Sequence, residues 1–183
     1  MAFDINQMRS ALQYGGARAS LFQVIITNPV NALGDVKTPF MARASSIPES
    51  TIAAIDVPYF GRKIKVAGDR TFADWTVTVI NDEDFLIRNA LEEWMNRINL
   101  HRQNLRDLDS GSPSLYKSQG QVIQYAKTGL PVRTYNFNGI WPSSVAATTL
   151  DWESSTIQEF EVTFSYDWWN VANPAITGNA GGE

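Results

Sequence analysis

The sequence predicts a mainly β protein: an antiparallel β-sandwich or flattened barrel of roughly eight strands with one packed α-helix. Three observations carry this. Along 157–168, Phe160, Val162, Phe164, Tyr166 and Trp168 alternate with Glu159, Glu161, Thr163, Ser165 and Asp167, the two-residue period of a strand with one face on a core. Apolar residues take up a helical period in one long stretch only, 84–101. Asn138-Gly139 parts two β-rich runs, 132–137 and 140–144, the strongest short-range sign of a hairpin.

In chain order, a short helix is expected over 4–14: Asp4 caps it, Ile5, Met8 and Leu12 share a side, and Gly15-Gly16 end it in a flexible joint. The run 21–27 reads as a strand with Phe22, Val24 and Ile26 on one face. Asn28-Pro29 opens a long connection that closes at Pro39, before a second strand at 40–44. Two further runs, 52–59 and 62–67, are separated only by Phe60-Gly61 and form a long hairpin whose arms flare at Pro58.

The run 74–81 sets Trp75, Val77 and Val79 against Thr76, Thr78 and Ile80, one side well buried and the other mixed, as between packed layers. The period then changes. Ile87, Leu91, Trp94, Met95 and Ile98 line one side of the helix, and Asn89, Glu92, Glu93, Asn96 and Arg97 fall mostly on the other. Residues 81–84 supply its cap and carboxylates near the positive end of its dipole, a better reason for that acidic cluster than calcium. The polar stretch 103–119 reads as a loop, 121–126 as a strand, and 150–152 as the start of another. The end of the chain is rich in Gly, Asn and Ala and has little to pack, so one domain is placed at 1–169 and a flexible extension at 170–183.

A chain of 183 residues, 44% hydrophobic and 19% charged, suits one globular domain that buries roughly 70% of its unfolded surface. Its net charge of −4 disfavours broad phosphate neutralisation, and so tight nucleic-acid binding. The absence of cysteine excludes disulfides, thiolate zinc and a cysteine nucleophile, and a single histidine excludes multi-histidine metal sites. No apolar run approaches the ~18 residues of a membrane span, and the N-terminus lacks an export pattern, so the chain is expected to stay cytosolic while folding. Charge below the usual share of about 25%, together with six Trp, points to large areas covered by another subunit.

Catalytic chemistry finds no seat. His101 would be the base of a serine hydrolase, yet it ends a helix and the chain has no G-x-S-x-G turn. Asp74, Asp151, Glu153 and Glu159 allow two-carboxylate chemistry but at no favouring spacing, and a carbohydrate-binding sandwich stays open only on exposed Trp and acids. Residues 107–111 open like a calcium loop, but position twelve is Ser118, so a turn is the better reading. No cofactor or metal is expected. The one positive concentration, Arg62, Lys63, Lys65 and Arg70 with Asp69 and Asp74 nearby, lacks interleaved aromatic platforms and reads as an ion-pairing strand at an intersubunit contact.

The stretch RKIKVAGDRTFADWTVTVINDED at 62–84 closely resembles the tail tube protein family of contractile-tailed, T-even-type bacteriophages. LFQV at 21–24, QYAK at 124–127, GIWPSSV at 139–145 and LDWESSTIQEFEVTFSYDWW at 150–169 add to the resemblance in the family's order. The connection at 28–38 and the tail after Trp169 look longer than in the family. The resemblance implies a subunit of hexameric rings that stack into a hollow tube, sheathed by a contractile protein, started by a baseplate, measured by an internal tape-measure protein and ended by a terminator. It implies a virion tail component assembled in the host cytoplasm, through which DNA passes without specific binding. Related tubes serve phage-like protein-injection devices, which genomic neighbours would distinguish.

On that reading the bore is net negative or weakly polar, since an acidic wall lets phosphate slide. Glu159, Glu161 and Asp167 are its candidate lining, with sheath or solvent as the rival environment. Asn89, Glu92, Glu93 and Asn96, on the exposed side of the helix, are the candidate sheath contacts. The hairpin at 52–67, the segment at 103–119 and both termini are expected to order only against the next ring, which makes nucleation costly.

Overall fold

The computed structural model describes residues 5–12, 16–106 and 111–172. Asp4, Gly15, residues 107–110 of the expected turn and the sequence from 173 onward lie outside the described residues. The architecture is antiparallel β throughout, with nine strands and one substantial helix among the described residues.

Helix α1 (Ile5–Ala11) buries nothing; Ile5, Met8 and Leu12 share a side, as their spacing predicts, and all three are exposed. Strand β1 (Phe22–Ile26) follows. The strand expected from Phe40 begins instead at Ala42. Pro39, in the first turn of α2 (Thr38–Met41), fits a helix start, and β2 (Ala42–Ser45) takes over only after it.

Among the described residues, strands β3 (Ser50–Tyr59) and β4 (Arg62–Phe72) pair only with each other and form an arm longer than the expected hairpin. Phe60 and Gly61 both have positive φ, 42° and 77°, as a two-residue turn between right-twisted strands requires. The expected flare at Pro58 is absent, because Pro58 stays opposite Lys63; the irregularity lies between Ile52 and Ala54. No residue of either strand is buried.

The remaining strands are β5 (Trp75–Ile80), β6 (Ser118–Tyr125), β7 (Pro131–Val145), β8 (Glu159–Ser165) and β9 (Trp168–Ala172), with α3 (Leu86–Ile98) and the single turn α4 (Pro113–Tyr116) between β5 and β6. Their order is β1-β6-β7-β8-β5-β2, with β9 added on β7. The strand expected at 157–168 is thus two strands broken at Tyr166-Asp167. None begins at 150–152, and ordered pairing runs through Ala172, past the boundary expected at 169.

Asn138-Gly139 is not a hairpin but a bend within β7. A two-residue hairpin turn of this type needs positive φ at both positions, and only Gly139 has it (70°), while Asn138 stays extended between Gln119 and Trp168. Gly139 is the unpaired extra residue of a bulge. Before it β7 pairs with β6 and β9; after it, Ile140 still faces Ser118 of β6, and from Trp141 onward β7 pairs with β8. One strand therefore serves two sheets, and the bend folds them face to face.

Between them lies the core. Trp75 stacks on Phe137 at 4.3 Å and meets Phe164 at 5.3 Å, with Val77, Val79, Phe160 and Val162 on the same inner faces. Ile87, Ala90 and Leu91 of α3 line one narrow void with Ile26, Val79, Val162 and Phe164. Helix α3 therefore covers the inner face of β5 and β8, in the same layer as β1.

A Cβ on Gly139 would fall 2.2 Å from Asp167 Oδ2. Gly139→Ala should therefore cost about 1–3 kcal/mol in a denaturant melt. A neutral result would contradict the bend as described.

Candidate assembly surfaces

The arm is amphipathic by register. Residues opposite one another in an antiparallel pair share a face, so Ile55 with Val66 and Val57 with Ile64 build an apolar side, which Tyr59 and the cation Arg62 continue at the tip. Asp56 with Lys65 and Pro58 with Lys63 build the other, where Lys63 Nζ meets Asp56 Oδ2 at 3.4 Å. The intersubunit candidates Arg62, Lys63, Lys65, Asp69 and Arg70 thus all lie on β4, and Asp74 lies in the link to β5. At its base, Phe72 lies 6.1 Å from the Tyr166 ring and 6.3 Å from that of Trp169, and the Tyr166 hydroxyl donates to the Ala73 carbonyl at 2.6 Å. Burial, with the Asp74 charge adding to it, pushes the Tyr166 phenol up to about 12.

The outward face of β5 and β8 carries Thr76, Thr78, Glu159, Glu161 and Thr163. Glu159 is half-buried and ion-paired with Arg43; Glu161 is exposed and meets no cation among the described residues. Asp167 does not join them. It sits in the break after β8 and pairs with Lys117 at 2.6 Å. Strand alternation predicts the first two positions and fails where the strand ends. The other outward sheet face, on β6, β7 and β9, is free of charge and rich in amides: Gln121, Asn136 and Asn170 lie in one cross-strand row.

On α3, Asn89, Glu92 and Glu93 are exposed and Asn96 is half-buried, with its Oδ1 accepting the His101 N–H at 3.1 Å. Glu92 accepts from Arg88 Nε at 2.8 Å and Glu93 from Asn31 Nδ2 at 2.8 Å. The second bond belongs to a contact that sequence patterning does not disclose: the 28–38 connection is strapped onto α3. Asn28, nearly fully buried, donates its side chain to the Ala90 carbonyl at 2.9 Å, and its N–H donates to both Asp35 oxygens at 3.0 and 3.2 Å. Burial pushes the Asp35 carboxyl above its usual range, against the lowering effect of the Asn28 N–H.

Lys37 closes the strap by pairing with both Asp82 and Asp84. The expected cap at 81–84 is thereby redefined: the N-cap residue is Phe85, in a left-handed conformation, while Asp84 Oδ1 accepts the Leu86 N–H at 3.1 Å. Among the described residues no group of three or more His, Cys, Asp or Glu is placed to hold a metal, and no helix is long and apolar enough to cross a membrane. Asp74 and Glu159 lie toward opposite ends of the β5–β8 ladder and Asp151 and Glu153 in the β7–β8 loop, with Asp151 Oδ1 accepting the Glu153 N–H at 3.0 Å.

Residues 11–172 match the family model described as phage tail tube protein. The tail tube protein gp19 of Enterobacteria phage T4 is 40% identical over 155 residues, covering 84% of this chain and 90% of that protein. The tail tube protein of Serratia phage KSP90 is 26% identical, covering 80% and 84%. Among solved structures, the fold is similar to the tube-terminating cap of the anti-feeding prophage (TM-score 0.64, 18% identity, 86% of this chain and 91% of that one). It is also similar to a chain of the extended PVC sheath–tube complex of an extracellular contractile injection system (TM-score 0.61, 17% identity, 94% and 99%).

The Lys37 clasp has a pH signature. The Lys37 hydrogen bonds hold the carboxyls of Asp82 and Asp84 below their ordinary 3.8, so their contribution is full above that pH and is lost as pH falls through the lower folded values. Asp35, raised, acts in the opposite sense. Lys37→Ala should flatten the acid-side loss of stability in urea melts between about pH 5 and about pH 2. An unchanged profile would show that the clasp does not hold.

Proposed function

This chain belongs to the phage tail tube protein family, and from that premise we propose how its surfaces build a tube. The protein is a structural subunit of a phage tail tube, a component of the virion tail. The observation that carries the proposal further is the arm, two strands with no buried residue and, among the described residues, no strand partner but each other. An isolated hairpin is marginal in water, so this one is completed by another copy.

Copies meet side by side in hexameric rings and end to end in stacks, with the arm, Arg62, Lys63, Lys65, Asp69, Arg70 and Asp74 at the contacts between them. A head-to-tail contact that does not close propagates without limit, so length is set by other proteins: baseplate, tape-measure protein and terminator. Ordering the arm costs entropy at each addition, which makes growth slow until it is seeded. The role is mechanical and needs no catalysis.

Layering supports an orientation. Helix α3 covers the inner face of β5 and β8, so their outward face is turned away from the helix. With Asn89, Glu92, Glu93 and Asn96 toward the sheath, that opposite face, with Glu159 and Glu161, lines the bore. Asp167, off this face and paired with Lys117, leaves the lining set. Arg43 is neutralised by Glu159, and the excess charge on the face is the Glu161 carboxylate. A wall without spare cations does not grip phosphate, so DNA slides through.

The chain has no cysteine, which makes the orientation directly testable. In hollow tubes grown from the purified protein and identified by negative stain, Glu161→Cys should react with a small maleimide and resist one carrying a long polymer. Asn89→Cys should accept both. Equal labelling of Glu161→Cys by the large reagent would reverse the orientation, and the absence of hollow tubes even from a tail-tip seed would overturn the assembly.

A further inference from the structure

The arm carries a surplus of positive charge. Residues 50–72 hold four cations and two carboxylates, net +2, in a chain of net −4, which leaves −6 on the rest. Arg62, Lys65 and Arg70 form no ion pair among the described residues. Next to them lie the apolar side of the arm and, at its tip, Phe60, 91% exposed and edge-on to Tyr59. What completes this surface must be acidic and apolar at once.

Among the described residues, the loop between β7 and β8 has that composition. It presents Leu150, Trp152 and Ile157 to solvent, Trp152 entirely so at 103% exposure. Asp151 and Glu153 flank the Trp and meet no cation among the described residues. Beside them is an open hollow of about 360 Å³ whose lining includes Leu150, Asp151, Ile157 and Glu159. The acids near α3 differ, because Asp82 and Asp84 are already bound by Lys37, and Glu92 by Arg88.

Position completes the match. The β5–β8 ladder runs from Trp75 opposite Phe164 to Ile80 opposite Glu159. The arm joins the body at the first end, through Ala73 and Asp74; the β7–β8 loop enters β8 at the second. Arm and loop therefore stand at opposite poles of the same ladder, where a translated copy brings one onto the other. A ten-residue strand reaches about 30 Å, enough to leave its own body and lie along the next.

We infer that the 147–158 loop is the seat for the arm of the next copy in the stack: Trp152, Leu150 and Ile157 cover the arm's apolar side, and Asp151 and Glu153 pair with its unpaired cations. The inference rests on the tail tube reading above and names a contact surface for it. Because donor and acceptor sit on different ends of one molecule, the contact is heterologous and repeats along an axis.

Charge reversal tests this. Arg62→Glu with Lys65→Glu, and separately Asp151→Lys with Glu153→Lys, should each cut the seeded tube mass at least about tenfold, since like charges face each other across the contact. All four changes in one chain should bring it back to within about threefold of the unaltered protein, because every contact is then opposite in sign again. Circular dichroism of the unassembled variants separates assembly loss from misfolding. If a variant does misfold, Ile64→Cys with Trp152→Cys in assembled tubes should give a disulfide-linked ladder of multimers on a non-reducing gel, since Ile64 lies on the apolar side that Trp152 covers.

No recovery in the fourfold variant, or no ladder from tubes that form normally, would overturn the seat while leaving the tube standing. Failure of the unaltered chain to form hollow tubes, even when seeded, would remove both.

Discussion

An antiparallel pair of strands with water on both sides lacks the apolar burial that offsets the entropy of ordering it, and everything else in this molecule is arranged around that deficit. The arm has backbone hydrogen bonds and cross-strand pairs but no layer behind it. Its base is fixed by Phe72 among Tyr166 and Trp169 and by the Tyr166 hydroxyl on the Ala73 carbonyl, so it leaves the body from a defined place. On the proposed assembly, a subunit built this way is incomplete alone and finished by its neighbour.

The body supplies what such an arm needs. The bend at Gly139 lets β7 belong to two sheets, and Trp75 packed between Phe137 and Phe164 locks them together. Helix α3 closes the open side of the inner layer, and the 28–38 strap with Asn28, Asp35 and Lys37 holds that helix in place. Polar and apolar surfaces are thereby separated: a face on β5 and β8 with a single spare carboxylate, a charge-free amide face on β6, β7 and β9, and cations concentrated on the arm. On the proposed orientation, the division suits a conduit that binds its own kind firmly and its cargo hardly at all.

Periodicity disclosed the parts governed by one local rule. The alternation of Trp75, Val77 and Val79 and of Phe160, Val162 and Phe164, and the helical spacing of Ile87, Leu91 and Trp94, all place buried side chains as observed. It failed where a tertiary contact decides. Asn138-Gly139 has hairpin chemistry, but Asn138 is held extended by strands on both sides, so only the glycine turns. Asp167 continues an apparent strand pattern yet falls in a break and turns to Lys117, fifty residues away. The strap on α3 joins residues 62 apart, Asn28 to Ala90 and Asn31 to Glu93, a separation no local pattern encodes. The charge on the arm was legible; its isolation from the body, and its place opposite the β7–β8 loop, required the topology.

The most direct test of the claim that the arm is completed only by assembly is amide hydrogen exchange of residues 50–72 in the unassembled chain and in the tube. The account predicts rapid exchange along the whole arm in the free subunit and strong protection in the tube, while β5 and β8 stay protected in both. Equal protection of the arm in the two states, or rapid exchange that persists in the tube, would contradict it.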